Sequence, residues 1–419
     1  MGQRRRLRDW SIPIFYDLTA VLIGFILPRL EFRFFPGFNA SVSASVALTL
    51  YSSITSGMIA LTAIVYSLAF LLTQFSAVAY SPRLVLWVSQ DRVLWHSFGT
   101  FTATFLYAIE AMLWVDRNGS GRVPMLSGLL VIALMLASIG MFIALIQRVS
   151  MLQIGRMLAF TSDIGRQVIE QLYPTMETAV YPFEPTELAS LPVTQTVMYV
   201  GTPRVLQAIH ERTLLRLAVE SGGAVVVSAS VGDTLFDGTP LLRVFGGRKS
   251  VTDGIWRAAF ETGRSRTFEQ DPKYALRLLA DIAIKALSPA VNDPTTAVQA
   301  LDHIQDQLMR LGSRRLEIGA FRDVDGTLRL SIPHPTWDDF LALGLGEIRY
   351  YGGTSVQVMR RMSALITDLI AALPPERLPG LHHQRRRLAQ LIALSFADDE
   401  GKTEAQVEDR QGLGASHRG

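Results

Sequence analysis

The run from Val123 to Gln147, VPMLSGLLVIALMLASIGMFIALIQ, contains no charged residue, and its reading decides the class of fold. A helix needs ~20 apolar residues to cross ~30 Å of hydrocarbon, and inside lipid every backbone N–H and C=O must be satisfied within the helix. Working back toward the N-terminus, comparable runs occupy Ile12 to Pro28, Val46 to Tyr80 and Val93 to Val115. The few charges fall mostly between these runs. The pattern predicts a transmembrane domain over 1–148, with about four transmembrane helices at about 12–28, 46–80, 93–115 and 123–147.

The first residues, Met1-Gly-Gln-Arg-Arg-Arg-Leu-Arg, look like the basic start of a signal peptide. The apolar run behind them is long and has no small-residue cleavage site, so it reads as a retained first span. Arg4, Arg5, Arg6, Arg8, Arg83, Arg92, Arg148 and Arg156 lie on one side of the four runs. Arg29, Arg33, Arg117 and Arg122 lie on the other side, offset by Glu31 and Asp116. The bias predicts a multi-pass protein with its N- and C-termini in the cytoplasm. Trp10, Trp87, Trp95 and Trp114 stand near span ends, where amphipathic rings anchor at the membrane interface.

The 419 residues are 49% hydrophobic and 18% charged, with a net charge of +3 and no cysteine. The mean hydropathy of +0.26 comes from the first third of the chain. The absence of cysteine excludes disulfides, thiolate nucleophiles and cysteine-ligated metals. The near-neutral charge argues against nucleic acid as a partner.

Ser52, Thr55, Thr62, Tyr66 and Thr73 recur at helical steps along the over-long second span, and Thr100, Thr104 and Glu110 along the third. Such hydroxyls either let helices pack closely or line a wetted path, and a carboxylate within an apolar run normally faces protein or water.

After Arg148 the chain reads as a cytoplasmic α+β, mostly helical domain. An amphipathic juxtamembrane helix is expected over 149–173 and a proline-bearing linker over 174–192. A small α+β module over 193–247 follows, in which Pro203 opens a helix running to about Glu220. Its Gly232 to Gly238 ribbon resembles that of barrel-sandwich cofactor carriers, but no lysine occupies a hairpin tip, so no cofactor is expected. A helical domain is expected over 248–396, interrupted by a β-hairpin at 315–332 with Asp325-Gly326 as its turn. Within it, Ser288, Pro289, Asn292, Asp293, Pro294 and Thr295 form a helix–break–helix corner, with Asp293 as N-cap, Pro294 at N1 and Thr296 at N3. The corner reads as a capped helical turn, or as a polar cluster able to hold an anion, a metal or a neighbouring subunit. Asp302 and His303 are too scattered for a metal site, and no metal is expected. Arg385 to Arg387, beside His382 and His383, reads as a solvated basic face or a contact for phospholipid headgroups. The charged tail over 397–419 is expected to be disordered.

Ser56-Gly57-Met58, Tyr66-Ser67-Leu68, the stop at Ser81-Pro82-Arg83, Phe101 with Phe105-Leu106-Tyr107, and the Leu287-Ser-Pro-Ala-Val-Asn-Asp-Pro-Thr-Thr-Ala segment together resemble the DUF2254 family of bacterial predicted membrane proteins. The resemblance spans nearly the whole chain. It implies a bacterial inner-membrane protein and carries no catalytic residue with it.

Two functions fit this pattern. One is an oligomeric ion channel lined by the second span, with a cytoplasmic regulatory domain. Four spans leave little room for a lumen in one subunit, so this reading requires a homo-oligomer. The other is a membrane-anchored cytoplasmic sensor or scaffold without a pore. An enzyme ranks last, since the phosphate-loop, dinucleotide, zinc-protease and serine-hydrolase motifs are all absent. Expected partners are membrane lipids, further copies of the chain, and an ion or small ligand.

Overall fold

The computed structural model describes residues 11–34, 42–79, 92–150, 154–178 and 184–412. The chain divides into two compact units, Met1–Gln153 and Ile154–Gly419. Ser81, Pro82, Arg83, Trp10, Trp87 and the basic N-terminus lie outside the described residues.

The first unit holds helices α1 (Ser11–Phe34), α2 (Ala44–Ala79), α3 (Arg92–Met112) and α4 (Met125–Ser150). Three of them, Ser11–Phe34, Ala44–Ser67 and Met125–Gln147, contain stretches long and apolar enough to cross a membrane. The exception, α3, is the hub on which the other three pack. A helix wrapped by protein can carry polar groups that a lipid-facing helix cannot. Accordingly Ser97, Thr100, Thr104 and Tyr107 of α3 are buried, whereas Leu18, Leu22 and Phe25 of α1 and Leu136, Ile139 and Ile143 of α4 are exposed.

The second unit begins with α5 (Ile154–Leu172). Strands β1 (Val193–Met198) and β2 (Arg204–Ile209), helix α6 (Glu211–Ser221), and strands β3 (Ala224–Val227), β4 (Thr234–Leu235) and β5 (Pro240–Phe245) follow. After the short α7 (Asp253–Arg257) and β6 (Phe260–Gly263) come the long helices α8 (Pro272–Ala286) and α9 (Pro294–Gly312), then the hairpin β7 (Ala320–Arg322) and β8 (Leu328–Ser331). Helices α10 (Trp337–Leu341), α11 (Glu347–Tyr351), α12 (Val356–Ala372), α13 (Leu378–Ser395) and α14 (Asp399–Gln406) complete it.

One sheet runs β1-β5-β3-β8-β7 and the other β4-β2-β6. All pairings are antiparallel except β3 with β8, where Val225 lies opposite Leu330. Val197, Leu206, Leu214, Val225, Leu242, Trp256 and Leu330 join both sheets and α6 in one buried core. Helix α9 centres the helical layer, packed by α5, α8 and α12 with Ile304, Leu308 and Leu311 fully buried.

The structure corrects three expectations. Pro203 does not open a helix: Arg204–Ile209 is a strand and the helix starts at Glu211. The β-branched and apolar residues of Arg204–Ile209 pair with β4 and β6, and that sheet partnership outweighs the helix-start signal. The hairpin at 315–332 is not confined to a separate helical domain, because β8 pairs with β3 of the 193–247 segment. The tail is not disordered from Ala397, since Asp399–Gln406 is helical with Asp398 as its N-cap and packs on α12. Ala405 and Asp409 are buried there, an anchorage that composition does not reveal.

Candidate functional site

Buried polar groups without partners are rare in folded proteins, and each one asks for an explanation. In the second unit two such groups, on Asp271 and His334, belong to residues that line one cleft. It is lined by Leu172 at the end of α5, Ile209 and Glu211 between β2 and α6, Ser230 and Val231 after β3, Gln270 to Lys273 at the start of α8, and Ile332 to Pro335 after β8. The cleft thus lies where the sheets meet the helices. It is small, about 30 Å³, enough for roughly two water molecules.

Asp271 supplies its acid. It stands at the N-cap of α8 but makes no side-chain capping hydrogen bond. Its Oδ2 instead accepts from Arg266 Nε at 2.8 Å, while Oδ1 is buried without a partner. Asp271 is 1% exposed, and this burial raises its pKa against the opposing pull of Arg266. Arg266 is held over Gly232, whose φ of +92° suits glycine and where any Cβ would collide with the guanidinium.

His334 lies between Pro333 and Pro335, and its Nε2 is also buried without a partner. Burial pulls its pKa down to about 4, so the imidazole is neutral at physiological pH. Its ring meets Tyr173 edge-on, with centroids 6.4 Å apart. The Tyr173 hydroxyl is a third buried group without a partner; burial, then the Asp271 charge, raises its pKa. Burial also raises the pKa of Glu211. Gln270 is committed to structure, accepting from Ile209 N at 2.9 Å. Together these groups offer hydrogen-bond donors and acceptors to a small polar ligand. No cluster of three or more metal-ligating side chains occurs among the described residues.

The residues singled out from the sequence lie elsewhere. In the signature corner, Asp293 is the N-cap of α9: Oδ1 accepts from Thr296 N at 3.1 Å and Oδ2 from Thr296 Oγ1 at 2.5 Å. Asn292 adopts φ +48°, the left-handed conformation asparagine tolerates, and its N–H donates to Ser288 O at 2.8 Å. Ser288 Oγ donates to Lys285 O. Pro289, Asn292 and Thr295 are exposed, and Pro294 is half-buried at N1.

In the first unit, Ser52 and Tyr66 of α2 are exposed. Thr62 donates to Met58 O at 2.7 Å, and Thr55 Oγ1 is buried without a partner. Thr73 belongs to the same helix. Thr100 donates to His96 O, and Thr104 reaches Ser138 Oγ of α4 at 2.9 Å. The α1–α3 seam is polar along its length. Tyr16 Oη meets His96 Nδ1 at 3.1 Å, and Thr102 Oγ1 donates to Asp17 Oδ1 at 2.6 Å. Glu110 packs against Gly24, with Oε2 buried and without a partner. Glu31 is 2% exposed; its carboxylate accepts from Leu126 N at 3.0 Å and Ser127 N at 3.4 Å, at the start of α4.

Asp271, Tyr173 and His334 are not among the residues that stand out from the sequence. The Pro-His-Pro triplet was a usable signal, because prolines on both sides restrict the backbone that presents the imidazole.

A family model described as predicted membrane protein (DUF2254) matches residues 6–368. The uncharacterised proteins Mb1321c of Mycobacterium bovis and Rv1290c of Mycobacterium tuberculosis are each 26% identical to the chain over 398 residues, covering 92% of it and 74% of the relative. No solved structure matches the chain. A family match across most of the sequence, together with apolar helices long enough to cross a bilayer, establishes that this chain belongs to the DUF2254 family of predicted membrane proteins.

Proposed function

We propose that this protein is a membrane-anchored sensor whose soluble unit binds a small polar ligand in the Asp271–His334 cleft. The observation that carries this reading is that two residues lining the cleft, Asp271 and His334, each keep a buried polar atom without a partner, and that Tyr173, packed edge-on against His334, keeps a third. Leaving a buried polar group unpaired costs about 1–3 kcal/mol, so a fold that keeps such groups at a cleft is organised there for something other than its own stability. No catalytic step is part of this reading.

All four helices of the first unit are taken as spans. The polar groups of α3 turn toward α1 and α4 rather than toward lipid, which supports including it. The arginine distribution supports an inner-membrane placement with both termini in the cytoplasm.

Native mass spectrometry of the full-length protein, extracted from bacterial cells in mild detergent, tests the sensor reading. A small-molecule adduct on the wild type that is lost from an Asp271→Asn, His334→Leu double variant supports it. Adduct-free spectra for both forms, from protein shown to be folded, sink it.

A second reading, the oligomeric channel, is favoured by the outward face of α2. Thr49, Ser53, Ser56, Ala60, Ala63 and Ser67 recur at steps of three and four, and all are exposed in a single copy. In a bilayer, small and hydroxylated side chains on an outer helix face suit contact with another copy or with water. Current through planar bilayers containing purified protein would support the channel over the sensor. Silent bilayers with folded protein would count against it.

A further inference from the structure

We infer that Arg349 of α11, with Gln384 and Arg387 of α13, forms a receptor for a phosphate group. The inference is independent of the cleft at Asp271. Among the described residues of the second unit three arginines are buried: Arg349, Arg361 and Arg377. Arg361 pairs with Asp302 at 2.7 Å and reaches Gln305 as well. Arg377 pairs with Glu317 at 3.5 Å and donates to the carbonyls of Gly312 and Arg314. Arg349 is 6% exposed, yet among the described residues it has no carboxylate partner. Its Nη1 donates to Gln384 Oε1 at 2.5 Å. The fold therefore follows the ordinary rule for buried charge twice and breaks it once.

A buried guanidinium without a counter-charge carries a heavy desolvation penalty. A second cation beside it makes matters worse. Arg387 lies one helical turn beyond Gln384 on α13, near enough that its charge, after burial itself, pushes the Arg349 pKa down. Neither Arg386 nor Arg387 makes an ion pair among the described residues, and Arg385 meets only His382 Nδ1, at 3.3 Å. The local backbone is unusual as well. The turn leading into α11, Ala342–Gly346, is a π turn. A π turn inserts an extra residue and re-aims the side chains that follow, and such turns recur at functional sites.

An anion resolves both penalties. A phosphate presents several acceptor oxygens and up to two negative charges. It can take a bidentate contact from the planar guanidinium of Arg349 and the charge of Arg387, while Gln384 fixes the orientation of Arg349. The same group is carried by soluble phosphate esters and by anionic phospholipid headgroups. The exposed Tyr350, Tyr351 and Leu394 nearby in the sequence of these helices suit either a nucleobase-like ring or a lipid surface.

The test uses the full-length protein in detergent. Melting is followed with added inorganic phosphate against sodium chloride of matched ionic strength. Native mass spectrometry is run with added phosphatidylglycerol against phosphatidylcholine. The expected result is a saturable phosphate-specific rise in melting temperature, or preferential retention of phosphatidylglycerol; the first identifies a soluble phosphate ligand and the second a headgroup. Arg387→Ala, an exposed change, weakens the response by about tenfold or more, as expected for loss of a charged contact. Arg349→Met abolishes the response while leaving phosphate-free melting unchanged or higher, because an uncompensated charge has gone. Arg385→Ala keeps the response, which separates the site from general basicity. The inference is overturned if the wild type shows neither response, or if Arg349→Met and Arg387→Ala both retain it.

Discussion

Asp271 and Asp293 stand in the same local frame, each preceding a proline and each at the N-cap of a long helix, yet only Asp293 caps. Asp293 accepts from both the amide and the hydroxyl of Thr296. Asp271 turns to Arg266 and leaves Oδ1 buried and bare. At the N3 position, Asp293 meets a threonine and Asp271 a tyrosine, Tyr274. One aspartate serves its helix and the other serves the cleft.

The two aspartates should therefore respond oppositely to neutralisation. Asp293→Ala removes a cap and should lower stability by ~1 kcal/mol. Asp271 has a raised pKa, so the folded state holds its proton more tightly than the unfolded state. Its contribution is intact at low pH and is lost as pH rises from the unfolded value through the folded one. Asp271→Asn should accordingly be at least as stable as the wild type at pH 7, with a smaller loss of stability on going from acid to neutral pH. Denaturation followed by the fluorescence of buried Trp256 and Trp337 reads both effects. A destabilised Asp271→Asn would mean that the carboxylate is structural.

His334 predicts a pH dependence of the opposite sign. Its folded pKa of about 4 lies below the ordinary 6.5, so the unfolded chain binds the proton more readily between those values. Stability should fall as pH drops from 6.5 toward 4, by at most ~3 kcal/mol. His334→Gln should flatten that part of the curve. An unchanged profile in the variant would remove His334 as the cause.

Glu31 should matter more than an exposed loop carboxylate. Glu31→Ala strips the acceptor from Leu126 N and Ser127 N at a helix N-terminus, a loss of about 1–3 kcal/mol. Glu31→Gln keeps an acceptor and should cost less. Protease resistance of the protein in nanodiscs ranks the three forms, and equal resistance in all of them would refute the capping role.

The absence of cysteine makes the outer face of α2 testable against a clean background. Single Ser53→Cys, Ser56→Cys and Ala60→Cys variants should form disulfide-linked dimers in native membranes under mild oxidant. Cysteines at the exposed apolar positions Leu22 of α1 or Ile139 of α4 should not. Equal cross-linking at all positions would indicate random collision rather than a preferred interface.

Several features were legible because their physics is local. The charge-free run at Val123 to Gln147 satisfies its own backbone as a helix whatever surrounds it. The Asp293 cap is written in four consecutive residues, Asp-Pro-Thr-Thr. Other features were misread because a distant partner decided them. The strand at Arg204–Ile209 exists because β4 and β6 flank it, and Asp399–Gln406 is ordered because α12 offers it a surface. The polarity of α3 was visible as a row of hydroxyls, but their burial against α1 and α4 was not.

The amino-acid order alone determined the apolar helices and the capped corner, since each depends on groups within a few turns of one another along the chain. The tertiary structure decided the rest. Glu211, Asp271 and His334 come from separate elements and line one cleft, with Tyr173 against His334, only after sheet and helices have packed. Arg349 is unusual only by comparison with Arg361 and Arg377, whose carboxylates arrive from other helices or loops. Whether a polar group is left without a partner depends on everything folded around it, and no local pattern of residues records that.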